Sequence, residues 1–196
     1  MVDQIEPGCE FFERLTAIDA AIAARVAAAA CADCGGPLHV GNYGRKPRGG
    51  LVAVAGEAFT LRFSLCCGRE GCRLRTTPPS VRFFGRRVYV GASFILASIV
   101  ALALGAASAA WRATGIPPGT ARRWGRWWRG SFPATEVFAA LSARLVPAVA
   151  RARLPASLLE RLPGPPEAQL TLLLALLAPL TTTSALDGAR FVRGLA

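Results

Sequence analysis

The stretch Cys31-Ala32-Asp33-Cys34-Gly35 (CADCG) and its later counterpart Cys66-Cys67-Gly68-Arg69-Glu70-Gly71-Cys72 (CCGREGC) decide how the first half of this chain folds. A tetrahedral metal needs four soft ligands, and two short turns carrying two cysteines each supply them at about 2.3 Å. The pattern reads as the two knuckles of a zinc ribbon, a small β domain held by structural zinc. With four thiolates no coordination position stays open for catalysis. The partner of Cys72 is either Cys66 or Cys67. In the strand LRFSLCC, Phe63, Leu65 and Cys67 alternate onto one face, which favours Cys67 and leaves a four-residue turn before Cys72. The expected ligands are therefore Cys31, Cys34, Cys67 and Cys72. The competing reading, buried free thiols or disulfides, fits small secreted domains, and no secretion signal is read here. Cys9 stands apart as a small apolar residue, and His39 reads as a strand residue beside the first knuckle rather than a ligand.

Composition bounds the rest. A chain of 196 residues that is 53% apolar can bury one sizeable core or two small domains in series, which excludes wholesale disorder. Its formal charge of +11 points to a polyanionic partner. From Gly71 to Thr135 the chain has ten arginines (Arg73, Arg75, Arg82, Arg86, Arg87, Arg112, Arg122, Arg123, Arg126 and Arg129) and no Asp or Glu. A merely solvated face mixes charge signs, so this segment favours phosphate binding.

The expected fold class is α+β and mostly helical, in four regions. Residues 1–30 form an N-terminal amphipathic helix from about Glu10 to Ala30, with Leu15, Ile18, Ile22 and Val26 at spacings of three and four. Residues 31–91 form the ribbon, with strands expected at Leu38 to Val40, Ala58 to Leu65 and the segment VRFFGRRVYV. The glycine-punctuated loop GNYGRKPRGG offers Arg45, Lys46 and Arg48 to an anion, and the last strand offers Arg86 and Arg87. Residues 92–132 form a helix-turn-helix, and residues 133–196 form helices expected at Ala134 to Arg153, Ala156 to Leu162 and Glu167 to Leu177.

Val88 to Trp111 is a run of 24 uncharged residues flanked by arginine, long enough to cross a bilayer. Against a span, it contains Gly91 and Gly105, and its second half is mostly Ala and Ser. Two shorter helices meeting at Gly105 are expected instead, in a cytoplasmic protein. The later apolar run, Leu170 to Leu180, is too short for a span.

The residues after the first apolar run decide its use. Ala106 to Thr114 reads as a short helix, Gly115 as the turn, Ile116 as the apolar residue the turn buries, and Pro117-Pro118 as the opening of a second helix. On that helix Ala121, Trp124 and Trp128 share one face, while Arg122, Arg126 and Arg129 share another beside Arg123. The second helix of such a unit lies in the major groove, so Thr120, Arg122, Arg123, Arg126 and Arg129 are the contact candidates. Trp124 and Trp128 are core in either case.

The order CxxCG, then CCxxxGCRxRTTPPSVRFFGRRVY, then GIPPGTARRWGRWW resembles the zinc-ribbon and helix-turn-helix module of bacterial insertion-sequence transposases and their short accessory proteins. The likeness covers about Cys31 to Phe132. It implies that the ribbon and helix-turn-helix bind the ends of a mobile element. By position it implies zinc ligation by Cys31, Cys34, Cys67 and Cys72 and DNA contact by Arg122, Arg123 and Arg126. A transposase of the common type also needs an acidic triad holding two metal ions. Beyond the helix-turn-helix the only acids are Glu136, Glu160, Glu167 and Asp187, so no nuclease chemistry and no enzyme is expected. Duplex DNA is the expected partner, with RNA as an alternative, and the leucine-rich C-terminal faces offer a homodimer surface. The same parts would serve a transcriptional regulator, and a membrane-anchored ribbon protein is the reading from another class.

Overall fold

The computed structural model describes residues 7–84, 89–105, 108, 112 and 114–182, apart from the side chain of Ala58. The fold is α+β and mostly helical, as expected. Helix α1 (Cys9–Ala28) begins with Glu10 in its first turn and ends with Arg25 in its last, the signs that its dipole favours. Its buried stripe is Phe11, Phe12, Leu15, Asp19, Ile22 and Val26. The chain leaves α1 through Ala30, at φ 60°, and enters the first knuckle.

The ribbon comprises β1 (Leu38–Val40), β2 (Tyr43–Gly44), β3 (Leu61–Arg62), β4 (Leu65–Cys67) and β5 (Arg75–Thr76). Antiparallel pairing gives one three-stranded sheet in the order β1-β4-β5 and a separate pair β2-β3. Leu38 lies opposite Cys67, which sets the first knuckle against the second. The expected strand from Ala58 does not form. A 3-10 turn at Glu57–Thr60, which follows a short helix α2 (Val52–Ala55), takes its first part, and strand appears only at β3 and the start of β4. The turn buries Phe59 edge-to-face on Phe12 at 5.0 Å, packing that an extended chain here would forgo.

Strands β6 (Phe83–Phe84) and β7 (Tyr89–Val90) pair antiparallel, and β7 runs directly into helix α3 (Gly91–Leu104). Gly105, at φ 80°, ends α3, because a left-handed residue cannot extend the helix and glycine adopts that region without penalty. Among the described residues no helix is long and apolar enough to cross a membrane. The expected helix over Ala106 to Thr114 lies mostly outside the described residues.

Helix α4 (Pro118–Arg126) continues into a π-helical turn at Trp127–Ser131 and a 3-10 turn at Phe132–Ala134. Helix α5 (Glu136–Ser142) is capped by Thr135, whose hydroxyl accepts from the Phe138 N–H. The long helix expected to Arg153 stops at Ser142, and 143–150 is irregular up to a 3-10 turn at Arg151–Arg153. Pro147 lacks an N–H and disfavours helical backbone in the residue before it. Helices α6 (Ala156–Leu159) and α7 (Pro166–Leu177) and a 3-10 turn at Ala178–Thr181 complete the described chain, with the expected Leu162 end of α6 falling outside the helix.

One apolar core runs from Phe11 to Ala178, so the N-terminal helix, the ribbon and the later helices share an interior. At its centre, Arg82 is fully buried and not part of a basic surface. Its Nε donates to Asp19 Oδ2 at 2.8 Å, Nη2 donates to the Leu61 carbonyl at 2.8 Å, and its guanidinium lies over the rings of Phe59, Phe63 and Phe83. Asp19 also accepts from the Ser80 hydroxyl at 2.5 Å and the Val81 N–H at 2.7 Å. A carboxylate from α1 thus satisfies the Ser80 hydroxyl and the Val81 N–H at the end of the TPPS turn, which would otherwise be buried without partners.

Candidate metal centre and basic surface

Four sulfurs, of Cys31, Cys34, Cys67 and Cys72, lie within 4.8 Å of one another, with Cys34–Cys67 at 3.4 Å and Cys31–Cys72 at 3.9 Å. A tetrahedral ion with metal–sulfur bonds of about 2.3 Å spaces its sulfurs about 3.8 Å apart, so this cluster could hold a metal ion. Cys66 points elsewhere, its thiol directed to the Arg73 carbonyl at 3.5 Å. His39 pairs with Cys66 across β1 and β4 and does not join the four. Cys9 is exposed at the start of α1, directed at Glu13 Oε1 at 3.5 Å, and not packed as an apolar residue.

Both knuckles are built by backbone turns. In the first, the Gly35 N–H bonds to the Cys31 carbonyl at 2.8 Å and the Cys31 N–H to the Gly36 carbonyl at 2.9 Å. In the second, the Arg69 N–H points at Cys67 Sγ at 3.4 Å, and the Cys72 N–H returns to the Arg69 carbonyl at 3.2 Å. Gly36 is needed for its lack of bulk: a Cβ there would sit 3.0 Å from Cys67 Sγ and 3.3 Å from Cys34 Sγ. The Arg69 side chain crosses between the knuckles and donates to the Cys34 carbonyl at 2.7 Å. Sequence reading missed Gly36 and Arg69. The Gly35-Gly36 doublet was the one available signal, and nothing local marks Arg69.

The thiols differ in acidity. Cys34 is drawn down to about 7, chiefly by the Gly36 N–H, with the neighbouring thiols adding to it. Cys72 is pushed up to about 12: the Leu74 N–H lowers it, but the Cys34 side chain, burial and the other two thiols outweigh that. Cys67 is also raised, as burial and its neighbours Cys34 and Cys31 outweigh the Arg69 N–H. One thiolate forms readily here while Cys67 and Cys72 hold their protons, which a cation bound at the four sulfurs would displace.

The basic surface divides. On α4 and its π-helical continuation, Arg122, Arg123, Arg126 and Arg129 are exposed, while Ala121, Trp124 and Trp128 are buried. Thr120, expected to contact bases, is 4% exposed. Its hydroxyl lies 3.4 Å from Tyr89 OH and accepts from Arg123 Nη2 at 3.1 Å. The side chain faces β7, so it positions Arg123 and cannot meet a base. Before α4, Gly115 has φ 64° and Ile116 is buried. Arg45 and Lys46 are exposed on the ribbon, and Arg48 is exposed while its carbonyl accepts from the Val90 N–H at 2.9 Å. Arg45 and Arg75 both lie over the Tyr43 ring, at 4.9 and 5.5 Å from its centroid. Arg86 and Arg87 lie outside the described residues.

No family model matches the chain, and no curated protein and no solved structure matches it.

Proposed function

We propose that this is a zinc-stabilised DNA-binding protein of mobile-element type, which meets duplex DNA with the arginine face of α4 and the basic ribbon and has no nuclease chemistry of its own. The observation that carries this reading is the surface of α4 and its π-helical continuation: four exposed arginines, with the opposite side anchored by Trp124 and Trp128. A rigid helix with a guanidinium face suits a groove lined by phosphates, and arginine is the common bidentate partner of guanine. The acid-free stretch from Gly71 to Thr135 supports it, because no carboxylate in that segment competes for those arginines. Zinc is proposed for the four-cysteine cluster because four thiolates in a closed tetrahedral set favour it, and its role there is structural.

The test is fluorescence anisotropy of the zinc-loaded chain on random duplex DNA across a salt series. Tight binding that falls steeply with salt is expected. Arg122→Ala together with Arg129→Ala should weaken it and flatten log K against log salt by about 0.9 for each phosphate no longer neutralised. Thr120→Val keeps every arginine and releases only the hydrogen bond to Arg123, so it should change the salt slope by less than about 0.9. Binding no tighter than about millimolar at low salt, with the metal in place, would overturn the proposal.

A further inference from the structure

Beside the arginine face of α4 lies a cleft of about 740 Å³, within the range of about 300–1,000 Å³ usual for small-ligand sites. Its walls include the rings of Phe84, Tyr89, Trp124 and Trp127, and Arg123 and Arg126 stand along it. Among the described residues lining it, none is acidic, and neither arginine has a carboxylate partner among the described residues. Phe84, Tyr89 and Trp127 keep part of their surface exposed.

The rings are fixed from behind. Phe84 stacks on Phe94 at 4.2 Å, Trp127 stacks on Phe132 at 5.0 Å, and Tyr89 meets Trp124 edge-on at 5.0 Å. Rings ordered this way lose little further freedom on binding, which favours a flat partner. A ligand matching both features carries a planar apolar ring system and a negative charge a few ångströms away. An unpaired nucleotide has both, and base-on-aromatic stacking with arginine at the phosphate is the general mode of single-strand binding.

We infer that this cleft takes one unpaired nucleotide of a DNA strand, its base packed into the corner where Phe84 and Trp127 meet edge-to-face at 5.2 Å and its phosphate on Arg123 and Arg126. The inference rests on the DNA-binding reading above and adds a second element to it. The outer arginines hold duplex, while the cleft holds a base that has left the duplex or extends beyond its end. Arg123 and Arg126 belong to both surfaces and set them side by side.

The experiment compares three labelled probes by anisotropy with the zinc-loaded full chain: a blunt duplex, the same duplex with a short 3′ overhang, and that overhang without its bases; a fourth probe has the overhang in ribonucleotides. The overhang should tighten binding about tenfold over the blunt duplex, and the baseless overhang should lose that gain. Ser131→Leu, at an exposed position on the cleft wall, should abolish the gain while leaving blunt-duplex binding within about twofold. Equal affinity for all three probes would overturn the cleft inference and leave the duplex reading standing. Binding of the overhang probe without the blunt one would overturn the duplex reading and support the cleft. No binding to any probe would overturn both. An equal gain from a ribonucleotide overhang would overturn the restriction to DNA.

Discussion

Asp19 on helix α1 and Arg82 in the turn before β6 are 63 positions apart and meet at 2.8 Å with neither side chain exposed. Taking both charges out of water is costly, and the cost is offset here because the carboxylate accepts two further hydrogen bonds and the guanidinium reaches a carbonyl and three rings. The pair links the N-terminal helix to the exit of the ribbon.

Removing one partner strands the other in the core. Asp19→Ala or Arg82→Ala should each destabilise the fold by about 3–5 kcal/mol, read by denaturant unfolding at constant metal loading. The double variant Asp19→Leu with Arg82→Met should recover part of that loss. A loss below about 1 kcal/mol for Asp19→Ala would show that the pair is not held as described.

The doubled cysteine gives a sharp contrast. Cys67→Ser should abolish tight metal binding and lower the melting temperature, because it removes one of four converging sulfurs. Cys66→Ser should retain one metal per chain, since its thiol is turned toward Arg73. Metal content after gel filtration, measured by a colorimetric chelator, reads both.

Metal uptake should depend on pH in a defined sense. Metal binds thiolate, so protons compete and affinity falls as pH falls. With Cys34 at about 7, and Cys67 and Cys72 raised, Cys34 enters the site already ionised at a pH of about 8. At about pH 6 it is protonated and must also lose its proton. Protons released per metal, followed with a weakly buffered indicator, should therefore rise by about one between those conditions.

Gly125 lies inside α4, and a Cβ there would meet Arg129 Nη2 at 3.4 Å and Leu102 Cδ2 at 3.5 Å, ordinary van der Waals distances. Gly125→Ala should therefore stabilise the protein by about 0.5–1 kcal/mol through helix propensity. Thermal melting reads it, and a destabilisation would mean that α3 and α4 pack closer than described.

Local patterns in the chain foretold its local features well. Two-residue alternation put Cys67 rather than Cys66 on the face of Leu65, and three-and-four spacing marked α1 from Leu15 to Val26. Gly105 marked the end of α3 because its backbone need is its own. What periodicity missed depends on partners far along the chain. Arg82 reads as one more member of a basic run until Asp19 is placed beside it, and Thr120 reads as a helix-start contact until Tyr89 covers it. The aromatic cleft joins residues from β6, β7, α3 and α4, which no single window contains. The strand expected at Ala58 failed for the same reason, since Phe59 turns inward to meet a ring on α1.

The TPPS turn is gripped from its other side by the end of the described chain. The Ser80 N–H donates to Thr181 Oγ1 at 2.9 Å, and the Thr182 hydroxyl donates to the Thr77 carbonyl at 2.5 Å, across 101 and 105 residues. This sets an order during synthesis. All four knuckle cysteines and the three strands that space them have been made by Thr76, so the four sulfurs can converge early. The turn that joins the ribbon to the helices stays half-satisfied until Thr182 has left the ribosome. A nascent chain would carry a closed ribbon ahead of an open helical half, and a ribosome stalled before Thr181 would present the first without the second.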